Sequence, residues 1–252
     1  MFILTCLLFS LTAFCQDTLS KKDFTSGEKF LGLNFTEHEI DSMYGPVKNT
    51  VGEINKLHKN HISNDVPMTL AHSPLLPGMK FNMVQKPVVW NFPLNIKMPA
   101  NKNELAFYSI LELASLIKNK KITSVELTKF FLDRLKKYGD TLQCVISITE
   151  DIAMQQAAEA DKEIAAGKYR GPLHGIPYGL KDLFAVKGTK TTWGAAPYKD
   201  QTIDEDAYVY TKLKNAGAVL VAKFTLCALA MGDYWYDGRT KHPWKHTFEY
   251  SG

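Results

Sequence analysis

A chain of 252 residues, 45% hydrophobic and 22% charged, can bury a core of one or two domains and excludes a disordered or fibrous protein. Its net charge of +4 is mild, and its lysines are spread through helical patterns, which excludes the dense basic block of a nucleic-acid binder. Four cysteines, two of them near the start, exclude a disulfide scaffold, and no Cys or His spacing suits a metal.

Residues 1–15, MFILTCLLFSLTAFC, carry no charged side chain, and the chain turns polar at Gln16 and Asp17. The run is too short to span a bilayer as a helix and matches a signal-peptide core, with Ala13 and Cys15 as the small residues before a cleavage at Gln16. The expectation is a secreted or periplasmic protein without a stable membrane span. A lipid anchor at Cys15 is the alternative, and bulky Phe14 argues against it. Cys144 and Cys227 then remain as free thiols in apolar surroundings.

Residues 16–102 read as an N-terminal extension. Thr36 with Glu39 forms a capping box, and Ile40, Met43, Val47, Val51, Ile54 and Leu57 recur at helical steps. Gly45-Pro46 is expected to break or kink this helix. Six prolines between 67 and 99, with no helical period, describe an extended strap or a linker. Its aromatic residues Phe81, Trp90 and Phe92 favour a strap packed on a neighbouring surface.

Residues 103–252 alternate helix and strand. Leu105, Tyr108, Leu111, Leu113 and Leu116 predict a helix ending near 118–121. A second capping box, Thr123 with Glu126, opens a helix with Val125, Leu127, Phe130, Phe131, Leu135 and Tyr138 on one face and Gly139 as its stop. Strands are predicted at 144–148, 176–180 and 218–222, with helices at 150–166 and 206–215 between them. Such alternation predicts an α/β protein whose helices cover a largely buried sheet.

The chemistry concentrates at Gly171-Pro-Leu-His-Gly-Ile-Pro-Tyr-Gly-Leu-Lys-Asp-Leu-Phe184, where a turn feeds an apolar strand that ends on Lys181. A buried lysine favours its neutral form and becomes a candidate general base, as in Ser–Lys variants of nucleophilic catalysis. The competing reading leaves Lys181 exposed, or neutralised by adjacent Asp182. Asp182 is expected to fix local backbone rather than take part in proton transfer, and His174 to stabilise its glycine turn or face solvent, the alternative being a catalytic histidine.

The succession LHGIPYGLKDLFAVKG, TTWGAAP, YTKLKNAGAVLVAK and GRTKHPW resembles the amidase-signature family in order and spacing, over residues 103–252. In that family a lysine activates a bridging serine, which activates the serine that attacks an amide carbonyl. The resemblance places the lysine at Lys181, the AGA junction at Ala216-Gly217-Ala218 and the G-x-T-x-N-P-W turn at residues 238–244. His242 replaces the usual asparagine there, and Ala228 stands where many members carry glutamate. Met231 and Gly232 fall near one wall of the family's substrate site, the alternative being that Met231 fills core space.

The resemblance implies an α/β/α layered fold with a central mixed, mostly parallel sheet, of which this chain holds the N-terminal part. It implies hydrolysis of carbon–nitrogen bonds in small or linear amides, a small-molecule amide substrate and no metal or organic cofactor. The family's Gly-Ser-Ser-Gly loop aligns its first glycine with Gly252, so the bridging serine is expected next in the chain; Ser251 is the alternative. The chain by itself is therefore expected to be an inactive fragment. Two rival functions remain: a glutamine amidotransferase component working with a tRNA-dependent partner, and a secreted, non-catalytic binding module. Oligomeric state is left open.

Overall fold

Four helices of the computed structural model begin at one local device, a Ser or Thr whose third successor is acidic. Ser20 with Asp23, Thr36 with Glu39, Ser109 with Glu112 and Thr123 with Glu126 each form a capping box, so backbone N–H groups without a helical partner find an oxygen. The structure describes residues 19–245 except 61, 65, 67–74, 77, 83 and 87. Signal-like residues 1–15 lie outside the described part. The chain divides into two units, one up to Val66 and one from Pro67.

The described part of the first unit is a helical pair, α1 (Lys21–Leu31) and α2 (Glu37–Lys59). Phe24 and Tyr44 meet with ring centroids 6.3 Å apart, the Tyr44 hydroxyl donates to the Leu19 carbonyl at 2.9 Å, and Lys21 pairs with Asp41. The break expected at Gly45-Pro46 is absent, because α2 runs through Pro46. A proline removes one N–H bond. The turns on either side carry the helix past it, and the Thr50 hydroxyl donates to the Pro46 carbonyl at 3.1 Å.

In the second unit a short 3-10 turn (Lys102–Phe107) precedes α3 (Ile110–Lys118), α4 (Ser124–Leu142), β1 (Val145–Ile148), α5 (Glu150–Ala165), β2 (Pro177–Lys181), α6 (Tyr208–Asn215) and β3 (Val219–Phe224). The single helix expected from Leu105 is split, because the Ser109 box restarts the backbone as a new helix. Gly139 does not stop α4. It lies buried inside the helix where β1 passes closely, a Cβ there falling 3.1 Å from Val145 Cγ2, and the left-handed residue that ends α4 is Gln143.

The three-stranded sheet has the order β1-β3-β2, with β1 antiparallel and β2 parallel to the central β3. It is thus mixed, with one pairing of each kind. Val219 and Val221 face Leu132 of α4 and Ala153 and Ala157 of α5, while Leu220 faces Leu180, Val186 and Tyr210 of α6 on the other side. Helices therefore cover both faces, the layering expected of an α/β/α protein. Each fully buried Leu or Val contributes roughly 1.5–3 kcal/mol. A third cluster joins α3, α4 and Ile176 to Phe92, Ile96 and Met98 of the strap. The Lys118 amine sits 4.5 Å from the Phe92 ring centre, and the Ser115 hydroxyl donates to the Pro93 carbonyl at 3.0 Å. Phe92 is the anchor; Phe81 and Trp90 remain half exposed.

Candidate active site

Ligands of open α/β sheets gather beyond the carboxyl ends of the parallel strands. Lys181 stands there, as the last residue of β2, paired in register with Phe224, the last residue of β3. The ladder continues one bond further, from the Asp182 N–H to the Phe224 carbonyl at 2.9 Å. Lys181 is half buried, and among the described residues its amine has no hydrogen-bond or ion-pair partner.

Asp182 does not neutralise Lys181. It is fully buried, and its Oδ2 accepts from the Thr192 N–H at 2.7 Å and the Thr192 hydroxyl at 2.5 Å. Its Oδ1 lies 2.8 Å from the Nζ of Lys223, also fully buried. The Oδ1 contact is an ion pair set off the hydrogen-bonding angle. Lys223 aims its protons at the Lys190 carbonyl, 3.0 Å away, and the Thr191 hydroxyl, 3.2 Å away. Burial pushes the Lys223 pKa down, and the Asp182 carboxylate pulls it back up. Lys223 was not among the site residues expected from the sequence. A lone lysine at the end of the apolar run AVLVAKF, mirroring Lys181 at the end of YGLK, was the available signal.

Beyond Asp182 the backbone is strained. Trp193, Leu229 and Ala230 all have positive φ, at 52°, 53° and 61°. Their loops are stitched together by the Leu229 N–H on the Trp193 carbonyl at 2.8 Å and the Tyr236 N–H on the Gly194 carbonyl at 2.9 Å. Trp193 in turn donates its N–H to the Asp182 carbonyl at 3.3 Å. Non-glycine residues held this way cost about 1–3 kcal/mol each and tend to cluster at functional sites. Met231 and Gly232 follow on the same loop, Met231 79% exposed and Gly232 with φ +80° and open space around it. Met231 therefore fills no core space, and the loop that carries both residues is tied by Leu229 to Trp193, which is itself bonded to Asp182.

The turn after Gly238 docks on the other edge. The Thr240 and Thr225 hydroxyls are 2.7 Å apart, the Lys241 N–H donates to the Leu142 carbonyl at 2.8 Å, and His242 Nδ1 accepts from the Trp244 N–H at 3.1 Å. Ser251 and Gly252 lie outside the described residues.

His174 is remote from this chemistry. It is fully buried, and its Nδ1 accepts the Arg170 N–H at 3.1 Å, so its proton sits on Nε2, 3.2 Å from Glu163 Oε2. It borders a cavity of about 600 Å³ between α5 and α6, whose lining includes Arg170, paired with Glu163, and Lys187, paired with Asp204. Among the described residues no group of His, Cys, Asp and Glu is placed to hold a metal.

The family model described as Amidase matches residues 126–252. The chain is 41% identical over 139 residues to a glutamyl-tRNA(Gln) amidotransferase component of Coxiella burnetii, covering 54% of this chain and 29% of that protein. It is 38% identical over 144 residues to the corresponding protein of a Geobacter species, covering 56% of this chain and 30% of the relative. Among solved structures, the native peptide amidase of Stenotrophomonas maltophilia superposes with a TM-score of 0.53 at 30% identity, over 56% of this chain and 31% of that one. An amidase family protein of Bacillus anthracis superposes with a TM-score of 0.54 at 28% identity, over 60% of this chain and 32% of that one. The chain thus spans just under a third of the length of these proteins.

Proposed function

The chain belongs to the amidase family, and from that premise we propose that it supplies the base-bearing part of a serine amidase, with Lys181 as the base. The observation that carries this reading is the placement of Lys181. It ends a strand parallel to the central one, beside strained loops, and the one acid next to it in sequence is held by Lys223 and Thr192. An amine left without a partner at such a strand end is available to a hydroxyl. In this mechanism Lys181 takes the proton of a bridging serine, that serine takes the proton of the nucleophilic serine, and the nucleophile adds to the amide carbonyl. Backbone N–H groups hold the oxyanion, and the proton is returned to the leaving amine as the carbon–nitrogen bond breaks. Water then releases the acyl group as a carboxylic acid. The serines come from outside the described residues, and small or linear amides are the substrate class.

The test is Lys181→Ala and Lys181→Arg in the full-length protein, assayed on aryl amides and with a fluorophosphonate serine probe. Alanine lowers kcat by roughly 10²–10⁴-fold, the usual weight of a general base. Arginine is nearly as damaging, because a guanidinium does not give up its proton. An arginine variant with most of its activity would overturn the reading.

A second reading, a protein that releases ammonia from glutamine for a tRNA-dependent partner, is favoured by the names of the curated relatives. The uncharged apolar residues 1–15 favour export and hence the stand-alone amidase, secreted or periplasmic. No described helix is long and apolar enough to cross a membrane. Glutaminase activity that rises with a tRNA-bound partner would decide for the second reading.

A further inference from the structure

We propose that Phe224 is the positioning residue for Lys181: its ring, laid across β2 over Gly179, is the wall that holds the lysine stem on course. The proposal rests on Lys181 being the base. Lys181 and Phe224 are register partners on the last rung of the parallel pair, so their side chains leave the sheet on the same face. Gly179, two residues earlier on β2, shares that face. A Cβ at Gly179 would fall 1.9 Å from Phe224 Cε2 and 2.3 Å from Cζ, so the ring fills the space a side chain at 179 would occupy. Leu180, between them, faces the opposite cluster with Val186 and Leu220.

The ring is fixed from two directions. Its outer side packs on the cluster of Leu132, Ala153 and Val221, and its inner side lies on bare backbone at Gly179. The register slips between Tyr178 and Gly179, directly under the ring, and such a bulge re-aims the residues that follow it. Neighbouring strands stand about 4.8 Å apart, so these register partners on one face leave the sheet side by side, the Lys181 stem next to the Phe224 side chain. That stem is apolar and flexible over four carbons, so a wall on one side removes the rotamers that would carry the amine away from the strand end. Gly179 and Phe224 therefore form one device: a missing side chain on β2 makes room for a large one from β3.

The experiment uses the full-length protein, with Lys181→Ala as its reference. Phe224→Ala is expected to lower kcat on the order of 10²-fold, the scale of a misplacement of about 1 Å, with KM changed less than about threefold. Leu116→Ala removes a buried side chain from the separate apolar cluster on α3 and is expected to lower Tm comparably while keeping kcat. Phe224→Leu keeps an apolar wall and restores most of kcat. Gly179→Ala, which drives the ring off its seat, lowers kcat in the parent but adds little in the Phe224→Ala background. Should Phe224→Ala fail to fold, Phe224→Leu and Gly179→Ala read the same contact. A Phe224→Ala protein with parental kcat, or a Leu116→Ala protein losing kcat equally, overturns the proposal. A fully active Lys181→Ala protein instead overturns the assignment of the base.

Discussion

Asp182 pairs with Lys223 across the sheet, not with Lys181 beside it in sequence, and both partners are fully buried. Removing one member of such a pair leaves the other charged and dry, which costs about 3–5 kcal/mol. Lys223→Met is therefore expected to lower the stability of the chain by that amount in urea unfolding. Asp182→Asn combined with Lys223→Met should cost less than Lys223→Met alone, because no orphan charge remains. Additive losses would show that the two side chains are not coupled.

Acid should loosen the α5–β2 turn. Hydrogen bonds from Arg170 and Lys168 hold the Glu163 carboxyl well below its ordinary value of 4.5, at about 2. Burial, with the Arg170 charge added, pushes the His174 pKa below 6.5. In both cases the unfolded chain binds more protons than the folded one, so stability falls as pH falls. The histidine contribution is present above pH 6.5 and is lost as pH drops through its lowered folded value. The Glu163 contribution is present above about 4.5 and is lost on the way to about 2. Urea midpoints measured between about pH 7 and pH 3 should decline throughout. Glu163→Gln should begin lower and decline less below pH 4.5. A flat parental profile refutes the assignment.

Two glycines with the same backbone angle should respond differently to alanine. Gly167 and Gly217 both have φ of +83°, but a Cβ at Gly167 meets nothing within 4 Å, whereas one at Gly217 falls 2.4 Å from His174 Cδ2. Gly167→Ala is expected to cost about 1 kcal/mol, the left-handed penalty alone. Gly217→Ala should cost distinctly more, since the added methyl meets a His174 ring already held by the Arg170 N–H on one nitrogen and Glu163 beside the other. Equal thermal shifts in the two variants would deny the close approach.

Export is tested at the N-terminus. Sequencing of protein isolated from its native host is expected to begin at Gln16, the end of the apolar run. Recovery of Met1 from the cytoplasm would remove the export proposal and strengthen the amidotransferase reading.

The boundaries announced by local chemistry were legible. Thr36 and Thr123 with their acidic third neighbours mark the starts of α2 and α4, and the Gly-Pro punctuation around GIPYGLKD places Lys181 at a strand end. What was not legible depends on contacts distant in sequence. Gly139 has the form of a helix stop, but the packing of Val145 over it holds it inside α4. Lys223 reads as the polar end of a strand until Asp182, Lys190 and Thr191 are seen around it. Pro46 falls under the local rule against helix interiors yet sits within one, where a single lost bond is outweighed by the continuous turns on either side. Phe224 carried no mark in the sequence, since its role depends on an absent side chain on another strand.

The order β1-β3-β2 places the strand synthesised last of the three at the centre. Until Val219–Phe224 leaves the ribosome, β1 and β2 have no strand to bond. Thr149 likewise waits for the Leu220 carbonyl, 71 residues downstream, which its hydroxyl meets at 2.8 Å. The helices α4 and α5 emerge much earlier and can pair with each other, but their inner faces stay uncovered. Every sheet bond in the described fold is thus deferred to one six-residue segment, and the nascent chain passes through a long interval with exposed strand edges. Slowed translation between β2 and β3 would lengthen that interval, and chaperone dependence would rise with it.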